Sequence, residues 1–180
     1  GPNAHFVTQG LQAVLWRLRL KGLQIMSVSF VSRDLGKAKI ESELKKARRL
    51  VALVGIPSDS EPEKDSDIPL ATIAYINEKG STVNKIPPRP FMKQTRERAE
   101  RGNFPKFMRK LLKGLSSGSV TAEKAIKRLG ADYEGRMKDI FIHGSFVENA
   151  ESTKRRKKSS RPLIDTGHLR QSIKYKVVKL

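Results

Sequence analysis

Residues 121–144 constrain the fold more than any other part of the chain, because their pattern predicts one long helix. Apolar side chains recur there every three or four positions, as on the buried face of an amphipathic α-helix. Thr121 is a suitable N-cap with Glu123 in the first turn, and Gly144 marks the end. The predicted buried face consists of Ile126, Leu129, Gly130, Tyr133, Met137, Ile140 and Phe141.

Shorter segments can supply the elements that pack against this helix. Alternating apolar and polar residues predict short strands at residues 26–31 and 173–178. Apolar residues at helical spacing predict a helix over residues 34–50, and residues 50–55 either extend it or begin a strand. Further helices are predicted at residues 69–80, 91–101, 107–115 and 166–172.

Capping and breaking residues set the limits of these helices. Ser32 or Asp34 can cap the helix over residues 34–50. Gly102-Asn103 and Pro105 are predicted to break the chain between the helices at 91–101 and 107–115. The prolines between Ile86 and Phe91 favour an extended, rigid corner that positions Phe91 and its helix.

Length and composition bound the function. The 180 residues suffice for one domain with a modest core. Thirty-seven Lys and Arg against eighteen Asp and Glu give a net charge of +19, which favours contact with polyanions or acidic protein surfaces. The absence of cysteine excludes a disulfide framework, cysteine nucleophiles and thiolate metal sites.

The chain divides into an N-terminal leader and one domain. We expect residues 1–25 to be non-native or upstream sequence, with the natural start at Met26, since Gly1-Pro2 resembles a scar left by a protease. Residues 11–21 could form a short basic amphipathic helix, too short to span a bilayer. Residues 26–180 are predicted to form a single domain with mobile loops near 57–69 and 147–161.

No residue set predicts catalysis or a cofactor. The turn Asp165-Thr166-Gly167 matches the aspartic-protease motif, but no second copy exists and the helical middle of the chain contradicts an all-β protease. We therefore interpret Asp165 and Thr166 as helix or turn caps. None of the three histidines has a partner at metal-ligand spacing, so we expect no metal site. No nucleophile with its base and no Gly-rich phosphate loop appears in the sequence, so we expect no enzyme.

A basic run near the C-terminus is the candidate contact site. It can neutralise DNA phosphates, or it can be a solvated loop or a salt-bridging assembly tail, and the sequence favours neither interpretation. Few aromatic residues accompany it, so stacking on bases is not supported and any DNA contact would be non-specific. The run consists of Lys154, Arg155, Arg156, Lys157, Lys158 and Arg161.

Three segments taken together resemble a known family. The first segment is residues 70–80, whose last three residues include Glu78 and Gly80. The second is Ile86-Pro-Pro-Arg-Pro-Phe91, and the third is residues 162–173, which contain the Asp-Thr-Gly turn. In this order they resemble the tail-completion, or head-tail joining, minor structural proteins of long-tailed bacteriophages and prophages. The structural-motif residues of the resemblance are Glu78, Gly80, Pro87, Arg89, Pro90, Phe91, Asp165, Thr166, Gly167, Leu169 and Ser172.

The resemblance implies both a fold and a role. The fold would be α+β, a small antiparallel or mixed sheet flanked by amphipathic helices with long charged loops. The protein would be made in the bacterial cytoplasm and form a ring, six-fold or a multiple, at the neck or head-proximal tail end of the virion. Its partners would be other copies of itself, adjacent neck, connector or tail-tube proteins and packaged DNA, with no membrane. The alternative is a basic accessory protein that binds DNA non-specifically.

Overall fold

The computed structural model describes residues 14–18, 36–62, 67–151, 155, 163 and 167–180. They form an α+β fold in which helices pack on a small antiparallel sheet. The helices are α1 (Lys37–Arg49), α2 (Leu70–Lys79), α3 (Phe91–Arg101), α4 (Phe104–Ser116), α5 (Ala122–His143) and α6 (His168–Gln171). None of the helices within these ranges is long and apolar enough to cross a bilayer.

Strand β2 (Leu50–Ile56) is the centre of the sheet. It pairs antiparallel with β1 (Val14–Leu18) on one edge and with β3 (Lys174–Lys179) on the other. Val54 lies opposite Tyr175 of β3, and Ala52 lies opposite Val177. The nearly continuous apolar run of β2 suits a strand that is largely buried on both faces of the sheet.

Helix α5 lies across this sheet and divides the core into two clusters. Its first half packs with Ala47 of α1 and with Leu111 and Leu115 of α4. Its second half packs with β2, α2, α3 and the C-terminal segment around a buried Phe91. All seven residues of the predicted face of α5 are buried, which confirms the helical periodicity.

The N-terminus of α5 receives two caps from different parts of the chain. As predicted, the Thr121 side chain accepts a hydrogen bond from the Lys124 amide at 3.3 Å. The second cap is Glu43 of α1, whose Oε2 accepts a hydrogen bond from the Ala122 amide at 2.7 Å. Oε1 of the same carboxylate accepts a bond from Lys46 Nζ at 2.7 Å. The Lys46 ammonium, followed by the Ala122 amide, lowers the pKa of Glu43.

Several predicted boundaries are confirmed and two are corrected. Helix α2 begins after Pro69 and ends before Gly80, as predicted. Helix α4 begins at Phe104, so Pro105 lies in its first turn and not in the break, a position where a missing amide hydrogen is harmless. Residues 14–18 pair as a strand, so a helix over residues 11–21 is wrong there. The predicted strand at 26–31 and the caps Ser32 and Asp34 lie outside the described residues.

Two glycines on α5 provide a test of its packing. A Cβ at Gly130 would lie 2.5 Å from the Tyr175 ring, whereas a Cβ at Gly135 would meet nothing within 4 Å. We expect Gly130→Ala to lower the free energy of unfolding by about 1–3 kcal/mol through overpacking against β3. Gly135→Ala should raise it by about 0.5–1 kcal/mol, because alanine has the better helix propensity. Urea unfolding of both variants measures the difference, and equal effects would contradict the packing of Tyr175 on Gly130.

Candidate functional site

The segments at 70–80 and 86–91 meet in one place, which we call the junction. It comprises the C-terminal end of α2, the proline corner and the first turn of α3, together with residues 147–149 after α5. The junction lies over the core cluster that surrounds the second half of α5. Sequence predicted the order of these elements but not their contacts.

A tight turn after α2 brings the corner back onto the helix. Gly80 has φ +79°, and a Cβ there would lie 2.9 Å from both the Ile86 carbonyl oxygen and the Pro88 nitrogen. The Ser81 and Ile86 backbones exchange two hydrogen bonds of 2.8 Å, which close the loop between them. Only glycine meets both the positive φ and the close approach. This requirement explains the glycine at the end of the first motif.

Arg89 is the centre of the junction. It is only 7% exposed, and the flanking prolines leave its backbone amide as the one donor between residues 87 and 90. That amide donates to the Asn77 carbonyl oxygen at 2.6 Å, near the C-terminal end of α2. The corner is therefore fixed to α2 by the main chain before the side chain contributes.

The Arg89 guanidinium binds neutral oxygens on two segments. Nε donates to the Val147 carbonyl at 3.1 Å, and one terminal nitrogen donates to Asn149 Oδ1 at 3.1 Å and to the Glu148 carbonyl at 3.4 Å. The other terminal nitrogen donates to Asn77 Oδ1 at 3.4 Å. Burial lowers the pKa of this guanidinium. Residues 147–149, predicted as part of a mobile loop, are thus held in the folded part.

Two asparagines that sequence reasoning missed complete this arrangement. The Asn77 amide donates to the Ile73 carbonyl at 2.8 Å, which leaves its Oδ1 toward Arg89. Asn149 is 6% exposed although it stands in a polar stretch. An asparagine in a polar stretch carries no sequence signal of burial. Asn77 does have one signal, since it lies within the first motif.

Glu78 joins α2 to α3. Helix α3 has no side-chain cap and no acidic residue in its first turn. The Glu78 carboxylate accepts hydrogen bonds from the Met92 amide at 2.8 Å and the Lys93 amide at 3.3 Å, so it serves as the missing cap. Burial raises the pKa of Glu78, and the two amide bonds oppose part of that rise.

Phe91 and the third motif share one core. Phe91 is fully buried, and its ring centroid lies 4.9 Å from that of Phe141 on α5. Leu163, Leu169 and Ile173 belong to the same cluster, and Ser172 is also buried. Gly167 has φ +81° at the start of α6, and β3 follows at Lys174. The predicted helix and closing strand are confirmed in these places.

Most of the predicted basic run lies outside the described residues. Arg155 is exposed, but the other basic-run residues and the predicted caps lie outside the described residues: Lys154, Arg156, Lys157, Lys158, Arg161, Asp165 and Thr166. Within the described ranges, no three His, Cys, Asp or Glu residues come close enough to hold a metal ion. The polar groups of Arg89 and Glu78 bind the protein's own backbone and asparagines. The junction is an architectural site.

Comparison of the chain with protein-family models, with curated proteins and with solved structures gave no match. Identity, activity and partners therefore stay predictions from the sequence resemblance.

Replacement of Arg89 tests the centre of the junction. We expect Arg89→Ala to lower the free energy of unfolding by roughly 2–4 kcal/mol, because it leaves buried carbonyl oxygens without donors. Arg89→Lys should fall between alanine and wild type, since an ammonium cannot reproduce the planar fork. Arg101→Ala, at an exposed position of α3, is the control and should change stability by about 0.5 kcal/mol or less. Chemical denaturation measures the free energy of unfolding of all three variants. If Arg89→Ala were as stable as wild type, the Arg89 side chain would not hold the junction together.

Replacement of Glu78 tests the cap through its pH dependence. Because the folded state raises the pKa above its ordinary value of 4.5, this carboxyl stabilises most below pH 4.5 and its contribution falls as the pH rises through the folded-state pKa. Glu78→Gln does not titrate, so the stability of wild type relative to this variant should decrease over that pH range. Glu78→Ala, which removes the cap, should lose about 1 kcal/mol.

The exposed carboxylate of Glu41 on α1 provides the matched control for this series. Denaturation of Glu41→Gln between pH 4 and pH 7 separates the Glu78 effect from general titration. If the stability of wild type relative to Glu78→Gln increased with pH, the inferred rise of the Glu78 pKa in the folded state would be wrong.

Proposed function

We propose that the chain is a structural subunit of a bacteriophage virion, forming a ring at the neck or head-proximal tail end that joins or completes the tail. The ordered resemblance of residues 70–80, 86–91 and 162–173 supports this proposal. Its partners would be other copies of itself, in six-fold symmetry or a multiple, and adjacent neck, connector or tail-tube proteins.

One structural observation supports the proposal. Large apolar side chains are exposed on three segments that the junction holds: Tyr75 on α2 is 55% exposed, Val83 in the loop after Gly80 is 89% exposed, and Val147 is 57% exposed. Arg89 holds the backbone of Val147 through a hydrogen bond to its carbonyl oxygen. The two backbone hydrogen bonds between Ser81 and Ile86 hold the loop that contains Val83. Apolar side chains that are held in place before association lose little conformational entropy when an interface buries them, so these three are candidate anchors.

Ring assembly also needs two different surfaces on each subunit that complement one another and close. The opposite charges of Asp59 to Asp67 and of Lys154 to Arg161 favour such a pair of surfaces. Growth then stops when the ring closes, which suits a component present at one level of a virion.

Electron microscopy of the full chain, combined with native mass spectrometry, tests the proposal. We expect wild type to form closed symmetric rings at micromolar concentration, because each interface would bury the exposed side chains of Tyr75, Val83 and Val147. The combined variant Tyr75→Ser, Val83→Ser and Val147→Ser should remain monomeric. Circular dichroism checks that it stays folded, as expected for exposed positions.

The matched control removes two other exposed apolar side chains. Ile68 is 48% exposed and Leu180 is 55% exposed, and neither belongs to the junction. The variant Ile68→Ser with Leu180→Ser should form rings like wild type. A monomeric wild type that is also missing from the neck and tail of virions would refute the proposal and favour the accessory DNA-binding alternative.

A further inference from the structure

Helix α4 carries a row of cations along one side. Lys106, Arg109, Lys110 and Lys113 stand at spacings of three, four and seven residues, which place them on one helical face. All four are exposed, and α4 contains no acidic residue. From the first to the last, the row spans about 10 Å at the helical rise of 1.5 Å per residue.

The opposite side of α4 fixes the direction of this row. Leu111 and Leu115 are buried in the cluster with the first half of α5, and Phe107 and Met108 pack against the same cluster. A Cβ at Gly114 would lie 2.7 Å from the Val120 side chain, so the chain after α4 also packs closely on the helix. The cations therefore project from a rigid surface.

Four cations on α3 and α5 provide a contrast, because each of them pairs with a carboxylate. Lys93, Arg96, Arg98 and Lys127 each pair with a carboxylate, namely Glu97, Glu100, Asp139 and Glu123. None of the four cations of α4 pairs with a carboxylate of the described residues. The neighbouring helix α1 contains six basic and two acidic residues, and one of the acidic residues, Glu43, is bound to Lys46 and Ala122.

We infer that the exposed face of α4 binds the phosphate backbone of duplex DNA without reading its sequence. Duplex DNA carries about one charge per 1.7 Å of its axis, so a row about 10 Å long can meet four phosphates. A protein partner fits less well, because the centres of protein interfaces are depleted in lysine and this face is cationic throughout. No exposed aromatic side chain lies on α4 for stacking on bases. The inference does not depend on ring formation.

Fluorescence anisotropy of a labelled 20-base-pair duplex of arbitrary sequence, titrated with the full chain at several salt concentrations, tests this surface. Four phosphate contacts contribute about −3.6 to the slope of log K against log salt, which is on the order of 100-fold in affinity between 50 and 200 mM. In the combined variant Lys106→Gln, Arg109→Gln, Lys110→Gln and Lys113→Gln, the slope of log K against log salt should become less negative by about 3.6. Glutamine keeps a high helix propensity, and circular dichroism verifies the fold.

The control removes the same charge from paired positions. The variant Lys93→Gln, Arg96→Gln, Arg98→Gln and Lys127→Gln should retain most of the wild-type slope, which would support a local contact on α4. Equal losses in both variants would mean that net charge alone attracts DNA, and would overturn the inference. Unchanged DNA binding by the α4 variant with loss of self-association would also overturn it, and would assign the face to an acidic protein surface.

Discussion

The buried guanidinium of Arg89 is the interaction on which the rest of the junction depends. Removing a charge from water carries a large desolvation penalty, and the surrounding acceptors must replace the lost hydration. Here the acceptors are carbonyl and amide oxygens from α2 and from residues 147–149. Neutral oxygens preserve the positive charge while fixing its position, and the planar fork lets one side chain contact two segments that are far apart in sequence. The prolines around Arg89 then leave the corner few other conformations.

A second principle of the fold is capping across elements. Helix α3 begins after a proline and has no acidic residue of its own in the first turn, so Glu78 of α2 binds its first amides. Glu43 of α1 does the same for α5, although Thr121 already provides a local cap. A carboxylate from a neighbouring helix satisfies the amides and also fixes the distance between the two helices. Each such contact couples secondary structure to tertiary packing.

The sequence predicts the elements much better than it predicts these contacts. The period of α5 identified its buried face because a long helix repeats its signal several times. Residues 50–55 are ambiguous from the sequence because a continuous apolar run has no period. The pairing of β2 with two other strands shows that they form a strand. The main acceptors of Arg89 are backbone carbonyls almost sixty positions away, and backbone groups leave no trace in a sequence. The burial of Asn149 cannot be predicted from the sequence either, since its neighbours are polar.

The two halves of α5 support surfaces of different chemistry. Around its second half, the junction holds exposed apolar side chains on segments fixed by hydrogen bonds. Around its first half, α4 and α1 pack on the core through their apolar sides and present cations to solvent. Apolar anchors favour association between protein subunits, whereas a surface of like charges disfavours it by repulsion and favours polyanions. If both proposals hold, self-association and DNA binding would use side chains around different halves of α5.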